Sequence, residues 1–184
     1  MSRRPVQFGL GDLETRLSGL LTAEELPFDG ESPPAGATTF VHTGEVAVTG
    51  SSTLMSTVLG SCVSVCLWDA ATGAGGMNHF LLPDQVSNGL STPRFGNVAV
   101  TTLLAQLDRL GVRPHTLKAK IFGGASMLDG AAAPREALGA RNAELARVLL
   151  TLAGIPIVAE DVGGTRGRKL IFRTGDGAAW VRKL

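Results

Sequence analysis

The sequence predicts an α+β fold. Three observations carry it: short runs rich in Val, Ile and Leu bounded by Gly, Pro or Asp; two stretches with apolar residues at helical spacing; and no regular strand–helix–strand alternation. At 184 residues the chain is long enough for one sizeable core and too short for two ordinary domains.

Residues 1–39 stand apart as an expected N-terminal extension, with the globular domain expected over 40–184. Six acidic residues against three arginines make the extension net negative, and the rest of the chain is net positive. Leu13, Leu17, Leu20 and Leu21 follow Asp12 at helical spacing and predict a short amphipathic helix. It would pack on its own domain or dock to another protein. Pro27 to Thr39, with Pro33-Pro34, reads as a linker.

From Phe40 the elements follow one another closely. Val46 and Val48 predict a short strand, and Leu54–Leu59 a second, leading through Gly60-Ser61 into a third over Cys62–Trp68. Asp69–Gly73 is a turn, Gly76–Pro83 the returning strand, and Asp84–Pro93 a polar loop. Val100, Leu103, Leu104, Leu107 and Leu110 mark a helix stopped by Gly111. Leu117–Phe122 is a strand ending in the tight connection Gly123–Met127. A second helix starts near Asn142, carries Leu145, Ala146, Leu149, Leu150 and Ala153, and stops at Gly154. Ile155–Ala159 is a strand, and Lys169–Phe172 with Ala178–Val181 forms a hairpin about Thr174–Gly177.

Composition removes several classes of function. Lys+Arg 17 against Asp+Glu 16 gives a net charge of +1, with no basic excess to grip a phosphate backbone. Aromatics are 5% and Tyr is absent, so few side chains could stack on bases. No apolar run is long enough for a membrane span, and Pro5, Gly9 and Gly11 break any secretory core, so the expected compartment is the cytoplasm.

The two cysteines, Cys62 and Cys66, lie four residues apart in one strand, roughly 13 Å. A disulfide needs Cα atoms within about 7 Å, so they do not bridge each other. With His42, His79 and His115 scattered along the chain, no metal-ligand spacing appears, and a structural metal is not expected.

The hairpin from Cys62 to Pro83 is the informative piece. If Trp68 pairs with Gly73, counting back along both strands sets Cys62 opposite His79 and Cys66 opposite Gly75. Opposed side chains lie about 4.5–5.5 Å apart at Cβ, within reach of a thiol–imidazole contact. Two readings stand side by side: a catalytic dyad, or a buried inert cysteine and a core histidine. Gly60-Ser61 favours the first, because a flexible turn before Cys62 leaves backbone N–H groups to face a substrate oxygen. Gly75-Gly76 would allow close backbone approach. Cys66 reads as core. Gly123-Gly124 and Gly163-Gly164 lack the spacing of a phosphate loop and read as tight turns. Arg166, Arg168 and Lys169 read as a solvated basic edge, and His42 and His115 as structural.

Six blocks resemble the CheD family of bacterial chemoreceptor glutamine deamidases. They are Ser56–Asp69, Gly76–Pro83, Arg94–Asn97, Lys120–Met127, Gly139–Asn142 and Glu160–Arg166, in the family's order and within residues 41–183. The resemblance implies a layered α/β sandwich with two main helices, of mixed or antiparallel sheet, similar to the necrotizing-factor-type cysteine deamidases. It implies a protein-glutamine glutaminase acting on methyl-accepting chemotaxis receptors, with no metal or organic cofactor needed. Cys62 falls on the family's nucleophile and His79 on its general base. The hydroxyl that orients the imidazole falls on Ser56, with Thr57 adjacent. Phe95 stands where a tyrosine is common. Two other activities share the resemblance: an adaptor that binds and stimulates a CheC-type phosphatase, and hydrolysis of receptor glutamyl methyl esters, which would release methanol rather than ammonia.

Overall fold

In the computed structural model the described residues are 36–84, 91–126 and 133–184, with side chains from 138 onward in the last stretch. The expected helix around Leu13–Leu21 lies outside them. In chain order the elements are β1 (Thr38–Phe40), β2 (Glu45–Thr49), β3 (Leu54–Leu59), β4 (Val63–Trp68), β5 (Gly75–His79) and α1 (Gly96–Arg109). Then come β6 (Lys118–Gly123), α2 (Ala133–Leu152), β7 (Ile157–Val162), β8 (Arg168–Arg173) and β9 (Ala179–Lys183). The α+β expectation with two helices holds.

The strands form two mixed sheets. One has the order β1-β3-β8-β9, with β1 parallel to β3; the other has the order β2-β5-β4-β6-β7, with β6 parallel to β7. Alternation along β4 separates two cores. Val63, Val65 and Leu67 pack with Val100, Leu103, Leu107, Ala146 and Leu150 of the helices. Cys66 and Trp68 face the other way, into a core with Met55 and Leu59 of β3 and Leu170 and Phe172 of β8. The five-stranded sheet is thus the middle of three layers, with helices on one face and the smaller sheet on the other.

Several boundaries move. β1 crosses the expected domain boundary, because Thr38–Phe40 at the end of the supposed linker pair with Leu54–Ser56 of β3. The second helix begins at Ala133 rather than near Asn142. Gly139 lowers helix propensity but is tolerated because α2 crosses the Gly123-Gly124 turn there; a Cβ on Gly139 would collide with the Gly124 carbonyl. β7 starts two residues later than expected, after Pro156. Of the polar loop 84–93, residues 85–90 lie outside the described residues.

The register of the central hairpin is displaced by two residues from expectation. Trp68 pairs with Gly75 and Cys66 with Met77, and Val63 bridges Phe80. The reason is the turn: Asp69 N–H bonds the Ala74 carbonyl at 2.9 Å, which leaves Gly73 inside the loop at φ 75 rather than in the ladder. An even shift preserves the face of every side chain. Cys62 and His79 therefore remain on one face, on a diagonal instead of directly opposed.

Arg168 corrects the solvated basic edge. It is 1% exposed, its Nη1 2.5 Å from Asp161 Oδ1, and it also donates to the Asp161 and Gly163 carbonyls. Lys183 reaches the same Asp161 carboxylate at 2.5 Å. Alternation along β8 turns Arg168 inward while Lys169 stays exposed, and Arg166 is exposed before the strand begins.

The β8–β9 turn supplies a stability test. Gly177 has φ 77 and lies against the Trp68 indole, where an added Cβ would overlap the ring, whereas Gly154 at φ 69 faces open space. In urea unfolding Gly177→Ala is expected to lose about 1–3 kcal/mol from overpacking beyond the backbone strain that both positions share. Equal losses for Gly177→Ala and Gly154→Ala would mean that the indole contributes nothing.

Candidate functional site

His79 closes β5 and is 4% exposed between the two sheets. Its partners fix its chemistry. Thr57 Oγ1 donates to the Val41 carbonyl at 2.8 Å and lies 2.9 Å from His79 Nδ1. A hydroxyl has one proton, so Thr57 accepts from the imidazole and the proton sits on Nδ1. Nε2 is left with its lone pair. Thr43 Oγ1 is 3.3 Å from Nε2 and donates to it.

Thr43 reaches that place through a turn. Glu45 N–H bonds the His42 carbonyl at 3.0 Å, His42 N–H bonds Glu45 Oε2 at 2.8 Å, and Gly44 supplies the positive φ of 82 that the third turn position needs. The turn is tied to the histidine strand by Gly44 N–H on the His79 carbonyl at 2.6 Å. Exposed His42, edge-on to exposed Phe40 at 4.8 Å, forms the rim above it.

Of the two hydroxyls offered for the orienting role, Thr57 is the one placed within hydrogen-bond distance of the imidazole, at 2.9 Å. Met55, Thr57 and Leu59 share the face of β3 turned to the middle sheet, and strand alternation turns Ser56 to the other face.

Cys62 lies just before β4, half-buried. Burial pushes its thiol above the ordinary 9.0, while its own backbone N–H pulls it back. The imidazole is pushed below its ordinary 6.5 by burial; the Val41 carbonyl opposes this and the charge of His42 adds to it. Both shifts favour the neutral forms. Among the described residues no hydrogen bond joins the sulfur to His79, consistent with the diagonal register and with Thr43 on Nε2. Cys66, fully buried and pushed up to about 12, is core as expected.

The turn before Cys62 is held by its carbonyls. Gly60 O accepts from Ala125 N–H and Cys62 O from Gly124 N–H, both at 2.8 Å. Ser61 O accepts from Asn142 Nδ2 at 3.1 Å, and the same nitrogen reaches Leu81 O at 2.8 Å. The tight connection at Gly123-Gly124 thus braces the site. Positive φ at both glycines aims the N–H groups of Gly124 and Ala125 at the cysteine turn. Thr43, Val41 and Asn142 were not expected as site residues. Thr43-Gly44 carries a turn signal, and Asn142 closes the family-like block Gly139–Asn142, but no spacing ties either to the cysteine turn.

A half-buried free cysteine and a buried imidazole held in one tautomer by a threonine, on one face of the middle layer, are the groups that a cysteine–histidine hydrolase would use. The comparisons with known proteins make it particular. The family described as CheD chemotactic sensory transduction matches residues 81–183. A protein of Anaeromyxobacter dehalogenans named probable chemoreceptor glutamine deamidase CheD 1 is 49% identical, covering 92% of this chain and 99% of that protein. Proteins named probable chemoreceptor glutamine deamidase CheD from Trichlorobacter lovleyi and Sulfurimonas denitrificans are 46% and 37% identical over 75% and 78% of this chain, and 85% and 92% of theirs. The chain belongs to the CheD family.

A match over 92% of the chain spans the stretch holding Cys62 and His79 and reaches into residues 1–39. That extends the resemblance beyond the expected 41–183. Among the described residues no helix is long and apolar enough to cross a membrane.

Two measurements test the imidazole. Nitrogen-15 NMR of the His79 ring is expected to show the Nδ1–H tautomer, scrambled in Thr57→Val and unchanged in Ser56→Ala; a scrambled ring in Ser56→Ala alone would return the role to Ser56. Because the folded state holds His79 below 6.5, the unfolded chain takes up the proton first as pH falls. His79's contribution to stability is therefore present above 6.5 and lost on acidification below it. A His79→Gln variant is expected to show a flatter loss of stability on that acid side.

Proposed function

We propose that this protein converts glutamine side chains of bacterial chemoreceptors to glutamates, with Cys62 as nucleophile and His79 as general base. The single observation that carries the chemistry is the fixed tautomer: His79 Nε2 keeps a lone pair on the face of the sheet that also carries the free thiol of Cys62. The relatives' names supply the substrate class.

The reaction follows from the neutral pair. As substrate enters, the Cys62 proton passes to His79 Nε2, displacing the Thr43 hydroxyl, and the sulfur attacks the amide carbon. Negative charge develops on the amide oxygen, and Cys62 N–H, which has no carbonyl partner among the described residues, is the donor nearest the new bond. The protonated imidazole gives its proton to the leaving nitrogen, ammonia departs, and a thioester remains. Water, deprotonated by the same Nε2, attacks the thioester and releases a carboxylate. Through both halves Thr57 accepts from Nδ1–H, and it steadies the imidazolium when the ring is charged.

The product carries a new negative charge and a methylatable carboxylate on the receptor. Binding to a CheC-type phosphatase is a further partner relation that the family resemblance implies.

The decisive experiment is intact-mass analysis of a cytoplasmic receptor fragment with wild-type protein and with Cys62→Ala. Wild type is expected to add the mass of exchanging NH2 for OH at mapped glutamines, and Cys62→Ala to add none. No mass change in a fragment shown to bind would favour the adaptor activity, and methanol release the esterase. The acid limb of kcat/KM is expected below pH 6.5, the ordinary value from which His79 is lowered. A limb above that value would mean that burial does not set the base.

A further inference from the structure

We infer that Asn142 is a positioning residue for the reaction proposed above, acting on the peptide plane between Ser61 and Cys62. A trans peptide is rigid, with its C=O and N–H pointing in opposite directions. The carbonyl of Ser61 and the N–H of Cys62 belong to one such plane. Asn142 Nδ2 holds the carbonyl side at 3.1 Å, so the N–H is turned to the other side, where it has no carbonyl partner among the described residues. Asn142 thereby aims the oxyanion donor without touching the substrate.

Three observations support this assignment. The flanking carbonyls of Gly60 and Cys62 are held by backbone N–H groups, whereas Ser61 O has only a side chain. Asn142 is fully buried, and its Oδ1 has no partner, a costly arrangement that a merely space-filling residue would not retain. Its second bond, to Leu81 O, fastens the cysteine turn to the chain just beyond His79. It adds to the reciprocal backbone bonds of Val63 and Phe80 at 3.0 Å, beyond the point where Val65 N–H bonds the Asn78 side chain at 2.8 Å.

The test compares two reactions of Cys62. Acylation by p-nitrophenyl acetate passes through a tetrahedral oxyanion; alkylation by iodoacetamide is a displacement at carbon and forms none. In Asn142→Asp and Asn142→Leu, acylation is expected to fall about 10- to 100-fold, while alkylation of Cys62 stays near wild type and Cys66 remains unlabelled. Should Asn142→Leu fail to fold, Asn142→Asp, which removes the donor with little change of shape, carries the comparison alone. Equal falls in both reactions, or labelling of Cys66, would mean Asn142 only supports the fold; undiminished acylation would also overturn the inference. No receptor enters this assay. A wild-type protein that acylates but does not deamidate receptor fragments would fail the proposed function and still return a result on Asn142.

Discussion

The Thr57 hydroxyl gives its hydrogen to the Val41 carbonyl and so must accept from His79, and this single proton joins three separate parts of the fold. Thr57 stands on the smaller sheet, His79 on the larger, and Val41 on the segment that crosses between them. The two sheets touch through apolar side chains that tolerate sliding by a fraction of an ångström. A buried hydrogen bond tolerates much less, because a misplaced donor there has no water to turn to. The relative position of the sheets and the tautomer of the base are thus set by the same contact.

Much of the architecture was legible because it rests on local signals. Period-2 runs, helical spacing and Gly stops located β3, β4, α1, β6 and the β8–β9 hairpin closely. The failures were those where a tertiary partner outweighs local propensity. Gly139 looked unlike a helix interior, yet α2 needs it for close approach to Gly124. Arg168 looked solvated until its inward face and Asp161 were known. The hairpin register missed by two because a closing bond at Asp69 and Ala74 cannot be read from turn composition. The even error spared the same-face relation of Cys62 and His79.

The site was legible in part. A cysteine after Gly-Ser and a histidine on the returning strand are sequence-local facts, and the family resemblance pointed to both. Ser56 and Thr57 differ in facing: adjacent strand residues point to opposite sides, and Thr57 is the one that meets the imidazole. Thr43, Asn142 and the backbone of Gly124 and Ala125 join the site from distant segments. The family-like blocks include Gly124, Ala125 and Asn142, but which carbonyl each N–H meets, and where the Thr43 hydroxyl falls, is set by tertiary placement.

The placement of the two thiols has a redox consequence. Cys62 is half-exposed at the strand's edge, and Cys66 is sealed in the core four residues further along. Oxidation of Cys62 to the sulfenic acid is ordinarily limited by a second thiol that condenses with it to a disulfide. Here the other thiol in the chain is beyond bridging distance and protonated, so no thiol within the molecule intercepts the sulfenic acid before the irreversible sulfinic stage. Recovery has to come from a thiol outside the chain. The arrangement that leaves one accessible thiol also leaves it without an internal reductant.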